Sequence, residues 1–68
     1  MKVVFVIKER RRKLRKSLSA LAADTGVSRS LLHQIENNKR DNITLKSLHK
    51  IARALNAADK DMYRIEED

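Results

Sequence analysis

The 68-residue chain contains no cysteine, no proline and only one glycine. Without cysteine it can form neither disulfides nor thiolate metal sites, which fits a reducing cytoplasm. Because helix-breaking residues are scarce, we expect helix to dominate. A chain of this length forms one domain and buries only about 60% of its unfolded surface. Its stability therefore has to come from helix packing, from dimerisation or from both.

Long hydrophobic runs are also missing. The apolar run at residues 3–7 is shorter than the roughly 7–15 residues of a secretion signal and the about 20 of a membrane-spanning helix. We therefore expect a cytoplasmic protein without a membrane partner.

His33 and His49 lie on different predicted helices, and no serine is arranged with a histidine and an acid. We predict no metal, no cofactor and no enzymatic activity.

Charge is unevenly distributed along the chain. There are 16 lysines and arginines against 9 acids, a net charge of +7. Residues 1–16 carry eight of the basic residues, whereas residues 59–68 carry five of the acids. This pattern suits a polyanionic partner. The alternative is a well-solvated surface, since excess charge does not define a fold.

A β-branched and aromatic segment, Val3–Ile7, predicts a short strand. Both of its faces are apolar, so it needs a partner strand, and the only other candidate is Met62–Ile65. The pairing could occur within the chain or across a dimer. We divide the single domain, residues 1–68, into a strand (1–6), a helical body (7–63) and an acidic tail (64–68).

Apolar spacing and capping residues predict the helices. Serine or threonine precedes three of them as N-cap, and Gly26 is placed as a left-handed stop. The predicted segments are Lys8–Arg15, Leu18–Thr25, Arg29–Asn37 and Leu45–Leu55, with a last short turn at 58–63. The fold class is thus all-α, a compact bundle of four to five short helices with a short N-terminal β-strand.

The second and third helices are separated by only Gly26-Val27-Ser28. Ala22 is small enough for the two helices to approach, and Gly26 permits the turn. Val27 fills the angle between the helices, and Ser28 caps the second one. These are the physical requirements of a helix-turn-helix.

With this motif the chain resembles the Cro/repressor (XRE-type) family of helix-turn-helix transcriptional regulators. The resemblance covers residues 7–63 and rests on Leu21-Ala22, Gly26-Val27-Ser28, Leu32, Ile35-Glu36, Lys39-Arg40 and Leu48-x-x-Ile51-Ala52-x-x-Leu55. It implies a five-helix fold that binds double-stranded DNA through its third helix. The expected function is that of a repressor that binds a palindromic operator as a homodimer.

In such folds the exposed face of the third helix meets base edges in the major groove. The residues at those positions here are Arg29, Ser30, His33 and Gln34. Arginine can bind guanine and glutamine can bind adenine through paired hydrogen bonds. The alternative is a polar face that is merely solvated.

Phosphate contacts are expected on either side of this helix. The free amides near Leu18 and Ser28, at two helix starts, can hold phosphate oxygens. By resemblance, the backbone of DNA is also touched by residues just past the third helix: Asn37, Asn38, Lys39 and Arg40. Arg12, Lys13 and Lys16 would add long-range attraction. Such contacts set register and carry no sequence information.

Glu36 would repel phosphate at the end of a DNA-binding helix unless it were paired. The resemblance implies a structural ion pair with Arg11 of the first helix.

The chain also departs from the family pattern. Arg15 and Asn38 stand where glycine is common, Leu18 replaces a phosphate-contacting glutamine, and the loop around Asp41 is one residue longer.

The apolar ends of the chain are the predicted dimer interface. Its residues are Val4, Phe5, Val6, Tyr63 and Ile65.

An alternative function on the same fold is a protein-interaction module such as an antitoxin. Copurification of an unrelated small protein would favour that alternative.

Overall fold

The computed structural model describes residues 1–40 and 42–67. Along the chain lie β1 (Lys2–Phe5), α1 (Ile7–Lys13), α2 (Leu18–Thr25), α3 (Arg29–Glu36), α4 (Leu45–Ala54), a 3₁₀ turn (Asp59–Met62) and β2 (Tyr63–Glu66). The predicted fold class, a small helical bundle with a short strand, is confirmed. The insertion expected at Asp41 and the tail residue Asp68 lie outside the described residues.

Three helices begin at hydroxyl caps, as their sequences predict. The Oγ of Ser17, the Oγ of Ser28 and the Oγ1 of Thr44 accept hydrogen bonds from the backbone amides three residues later, at 3.0, 3.1 and 3.1 Å. Such a cap stabilises a helix by about 1 kcal/mol. Local signals therefore set where α2, α3 and α4 begin.

The first helix differs from its predicted bounds. It begins at Ile7, one residue early, because the strand ends at Phe5 and the backbone of Val6, with φ of -109° and ψ of 28°, is no longer extended. It ends at Lys13, since Arg15 takes a left-handed backbone conformation with φ of 53°. The third and fourth helices each end one residue before the predicted position, at Glu36 and Ala54.

The two strands pair with each other in antiparallel orientation within the chain. Val3 lies opposite Ile65, and Phe5 lies opposite Tyr63. Of the two arrangements that the sequence allowed, the structure therefore has the intramolecular one. The strand β2 extends to Glu66, so the first part of the predicted acidic tail belongs to the sheet.

The core joins every helix to the sheet. Its fully buried large side chains are Ile7, Leu21, Leu32, Ile35, Ile51, Leu55 and Met62. Burying a side chain of this size contributes about 1.5–3 kcal/mol. Because Leu32 and Ile35 point into this core, the opposite side of α3 is left toward solvent.

Left-handed backbone conformations mark the ends of the helices. Gly26, with φ of 74°, closes α2 by donating its amide to the Ala22 carbonyl at 2.9 Å. Arg15, Asn38 and Asn56 have φ of 53°, 56° and 56°. Arg15 and Asn38 thus adopt the conformation that the expected glycines would favour.

In the described part of the chain, no helix combines the length and apolar character that crossing a bilayer requires.

Candidate nucleic-acid interface

The corner between α2 and α3 is held by Thr25, a residue that the sequence analysis did not single out. Its Oγ1 donates to the Leu21 carbonyl at 2.8 Å and accepts from the Val27 amide at 3.1 Å. Thr25 and Val27 are both buried. The hydroxyl therefore gives the buried Val27 amide the acceptor that it would otherwise lack. A threonine at the last helical position, two residues before the buried valine, is the signal that could have found it.

The third helix separates a buried side from an exposed polar side. Leu32 and Ile35 are fully buried. The predicted base-contacting residues Arg29, Ser30, His33 and Gln34 are all exposed. Within the described residues, none of these four side chains is engaged in a hydrogen bond or an ion pair. Their donors and acceptors are therefore available to a ligand.

The starts of α2 and α3 offer backbone amides. Capping occupies the amides of Ala20 and Leu31, the third residues of the two helices. The amides of the first two residues in each helix have no carbonyl of their own helix to bond. They include the amide of Leu18, whose side chain is half-buried while its helix end faces outward. Oriented amides of this kind favour anions.

The segment after α3 is ordered by its own hydrogen bonds. The Asn37 Nδ2 donates to the His33 carbonyl at 2.8 Å, and the Lys39 amide donates to the Gln34 carbonyl at 2.9 Å. One donor group of Asn37 is therefore already used within the helix end. Asn38, Lys39 and Arg40 are exposed, so two cationic side chains lie beside the end of α3.

A two-point ion pair joins α1 to the end of α3. The Arg11 Nε donates to Glu36 Oε2 at 2.7 Å and its Nη2 donates to Oε1 at 2.9 Å. The Glu36 side chain is only 4% exposed. The hydrogen bond to Glu36 raises the pKa of Arg11 against the opposing effect of burial. The carboxylate is thereby compensated by an adjacent cation and does not present a free charge to a polyanion.

Lys16 has a structural contact that its basic surroundings did not indicate. Its Nζ donates to Asp24 Oδ2 at 2.6 Å and to the Ala54 carbonyl at 3.0 Å. It thus connects the α1–α2 corner to α2 and α4. The positive charge of Lys16 is compensated by Asp24, whereas Arg12 and Lys13 are exposed.

The predicted dimer residues differ in accessibility. Val4 and Phe5 are each only 8% exposed within the monomer, and Val6 is half-buried. Tyr63 and Ile65 are 37% and 53% exposed. A second copy could therefore contact mainly the β2 side of the sheet. The dimer itself stays a prediction.

The capped corner, the buried stripe of α3 and its exposed polar side define a helix-turn-helix protein. The sequence profile of the family described as Helix-turn-helix matches residues 7–59. The chain belongs to this family, the XRE-type helix-turn-helix transcriptional regulators, as its sequence predicted.

Among solved structures, the chain is similar to SinR, the master regulator for biofilm formation, which was crystallised in complex with DNA. The two share 35% sequence identity with a TM-score of 0.76. The match covers 79% of this chain and 86% of SinR's. No curated protein sequence is significantly similar to the chain.

Proposed function

We propose that this protein is a transcriptional repressor that acts in the cytoplasm, by binding rather than catalysis, on a palindromic DNA operator. In this proposal a homodimer inserts one α3 helix from each copy into the major groove. The observation that carries it is the exposed, unpartnered polar side of α3, where Arg29 and Gln34 are exposed while Leu32 and Ile35 of the same helix are buried. The complex of the similar protein SinR with DNA supports the same ligand class.

Base recognition is assigned to four residues of α3. Arg29 would donate two hydrogen bonds to guanine O6 and N7, and Gln34 would bind adenine N6 and N7. Ser30 and His33 lie between them and complete the base-contacting set. Each good pairing contributes about 1–3 kcal/mol of discrimination, so these residues would set the base preference at a few positions of each half-site.

Phosphate contacts would flank these bases. The serine caps engage only the third amide of α2 and of α3, so the amide of Leu18 and the first two amides of α3 would be left to bind phosphate oxygens. The Ser28 hydroxyl accepts from the Leu31 amide, which leaves its proton free to donate to a phosphate oxygen. At the other end of α3 the contacts would come from Asn37, Asn38, Lys39 and Arg40.

The short length of α3 supports a homodimer. A helix of eight residues spans about 12 Å, which reaches only a few base pairs. Two copies related by a two-fold axis would read two half-sites about one helical turn apart. The operator would then be a palindrome.

The test is binding-site selection from random duplex DNA at two salt concentrations. We expect a palindromic consensus and an affinity that falls steeply with salt, as phosphate contacts require. Arg29→Ala should relax the preference at one position of each half-site. Exposed Arg53 lies on α4 and serves as the matched control in Arg53→Ala, which should leave the consensus unchanged. Enrichment of no sequence, or a consensus that Arg29→Ala does not alter, would contradict the proposal.

A further inference from the structure

The strand β2 forms an open edge of the sheet. All four of its residues, Tyr63–Glu66, are exposed, whereas Val4 and Phe5 of β1 are buried. Within residues 1–40 and 42–67 the sheet has two strands, and the backbone of β2 bonds only to β1. An open edge of this kind is a template for another strand, and a two-stranded sheet is marginal by itself.

We propose that β2 pairs with β2 of a second copy of this chain, in antiparallel orientation, with the two-fold axis at Ile65. The result is a four-stranded sheet that spans the dimer. This inference rests on the homodimer of the proposed function and names the surface that forms it. The binding partner is inferred to be a second copy because the charges of β2 are complementary to those of an antiparallel copy of the same strand.

The charge pattern selects one register. When identical strands pair around a two-fold axis perpendicular to the sheet, one residue faces its own copy. An axis at Arg64 or at Glu66 would place like charges directly opposite each other, which is destabilising. An axis at Tyr63 would place Asp61, from the 3₁₀ turn, against Ile65. An axis at Ile65 instead places Arg64 against Glu66 of the second copy, and it does so twice.

The two faces of the strand suit this arrangement. Arg64 and Glu66 project from the same face, where Nε and Oε2 are 3.2 Å apart, and their side chains are 58% and 46% exposed. They can exchange this exposed contact for a contact across the axis. On the other face Ile65 is 53% exposed beside its cross-strand neighbour Val3. Pairing would therefore join two half-covered apolar patches into one.

The experiment uses two variants of the full chain, Arg64→Glu and Glu66→Arg, in sedimentation equilibrium without DNA. The first variant carries two acids at the edge and the second carries two bases. Each alone should self-associate roughly tenfold more weakly than the unmodified chain. Mixed in equal amounts they should form a heterodimer, because every cross-axis pair is then again an acid with a base.

Exposed Arg53 provides the matched charge reversal away from the sheet, and Arg53→Glu should dimerise like the unmodified chain. Circular dichroism establishes that each variant keeps its helices. A dimer that neither edge variant weakens, or variants that do not associate when mixed, would overturn the β2 interface and leave the homodimer standing. An unmodified chain that stays monomeric, both free and on the selected operator, would overturn the interface and the homodimer together.

Discussion

Arg11 in α1 and Glu36 at the end of α3 are joined by two hydrogen bonds of 2.7 and 2.9 Å, with the carboxylate almost completely buried. Arg11 also donates its Nη1 to the Lys16 carbonyl at 2.9 Å. One guanidinium therefore fixes both the end of the candidate DNA-binding helix and the turn that follows α1. This relationship links the stability of the fold to the position of α3.

Removing Arg11 should be strongly destabilising. Arg11→Ala leaves the Glu36 carboxylate buried without a cation, and we expect a loss of roughly 3–5 kcal/mol in the free energy of unfolding. Urea denaturation followed by circular dichroism measures it. The double variant Arg11→Met/Glu36→Leu should recover much of the loss, since both charges are then absent. Equal destabilisation in the single and double variants would contradict this account.

The contribution of the Arg11 charge to stability should not change with pH near neutrality. The pKa of Arg11 is raised in the folded state, so its stabilising contribution is fully present below the unfolded-state pKa. That contribution is lost only as pH rises through the still higher folded-state value, in strongly alkaline solution. The difference in unfolding free energy between the unmodified chain and Arg11→Met/Glu36→Leu should accordingly be constant from about pH 6 to 9. A marked slope in that interval would show that another group titrates there.

Replacing Arg15 with glycine should stabilise the protein. The Arg15 φ of 53° lies in the left-handed region, which costs a residue with a Cβ about 1–2 kcal/mol. We expect Arg15→Gly to raise the free energy of unfolding by roughly 0.5–1 kcal/mol, after the greater flexibility of the unfolded glycine is counted. Arg12→Gly, within the regular part of α1, is the matched control and should be destabilising by about 1 kcal/mol. Thermal denaturation of both variants measures the contrast.

Thr25 should depend on its hydroxyl rather than on its shape. Thr25→Val keeps the volume but leaves the buried Val27 amide without its acceptor, and we expect a loss of about 1–3 kcal/mol. Thr25→Ser retains the oxygen and should be less destabilising. If the valine variant were as stable as the unmodified chain in urea, the hydrogen bond from the Val27 amide to the Thr25 hydroxyl would contribute nothing to stability.

DNA contacts at bases and at phosphates should be separable. Gln34→Ala should reduce discrimination at one base position by about 1–3 kcal/mol, whereas Lys39→Ala should weaken binding to all sequences alike. The lysine variant should also lower the slope of log affinity against log salt by about 0.9. Fluorescence anisotropy with matched and single-mismatch duplexes distinguishes the two effects. A sequence-dependent loss in Lys39→Ala would reassign that residue to base recognition.

Local signals account for what the sequence predicted well. The bounds of α2 agree with the structure because Ser17 and Gly26 act on the adjacent backbone, whichever partner the helix packs against. The exposure of His33 and Gln34 follows from the burial of Leu32 and Ile35 on either side of them, and Arg29 is exposed in the first turn of α3. Helix starts set by a capping residue and the exposed side of an amphipathic helix are therefore the features that the sequence predicts best.

Some features that depend on distant parts of the chain were not predicted from the residues alone. Lys16 pairs with Asp24 and the Ala54 carbonyl, and neither contact has a signature in the basic segment around Lys16. The choice between pairing within the chain and across a dimer depends on how Val3 and Ile65 are brought together, and strand composition alone does not determine that.

The pairing of Lys2 with Glu66 has a topological consequence. Directly opposed residues in antiparallel strands have Cα atoms about 4.5–5.5 Å apart, so the two ends of the described chain emerge side by side. A short flexible linker placed directly between Lys2 and Glu66 would connect these two points while the helices keep their contacts. New termini could then be opened in a surface loop, without cutting through any of the helices that position α3.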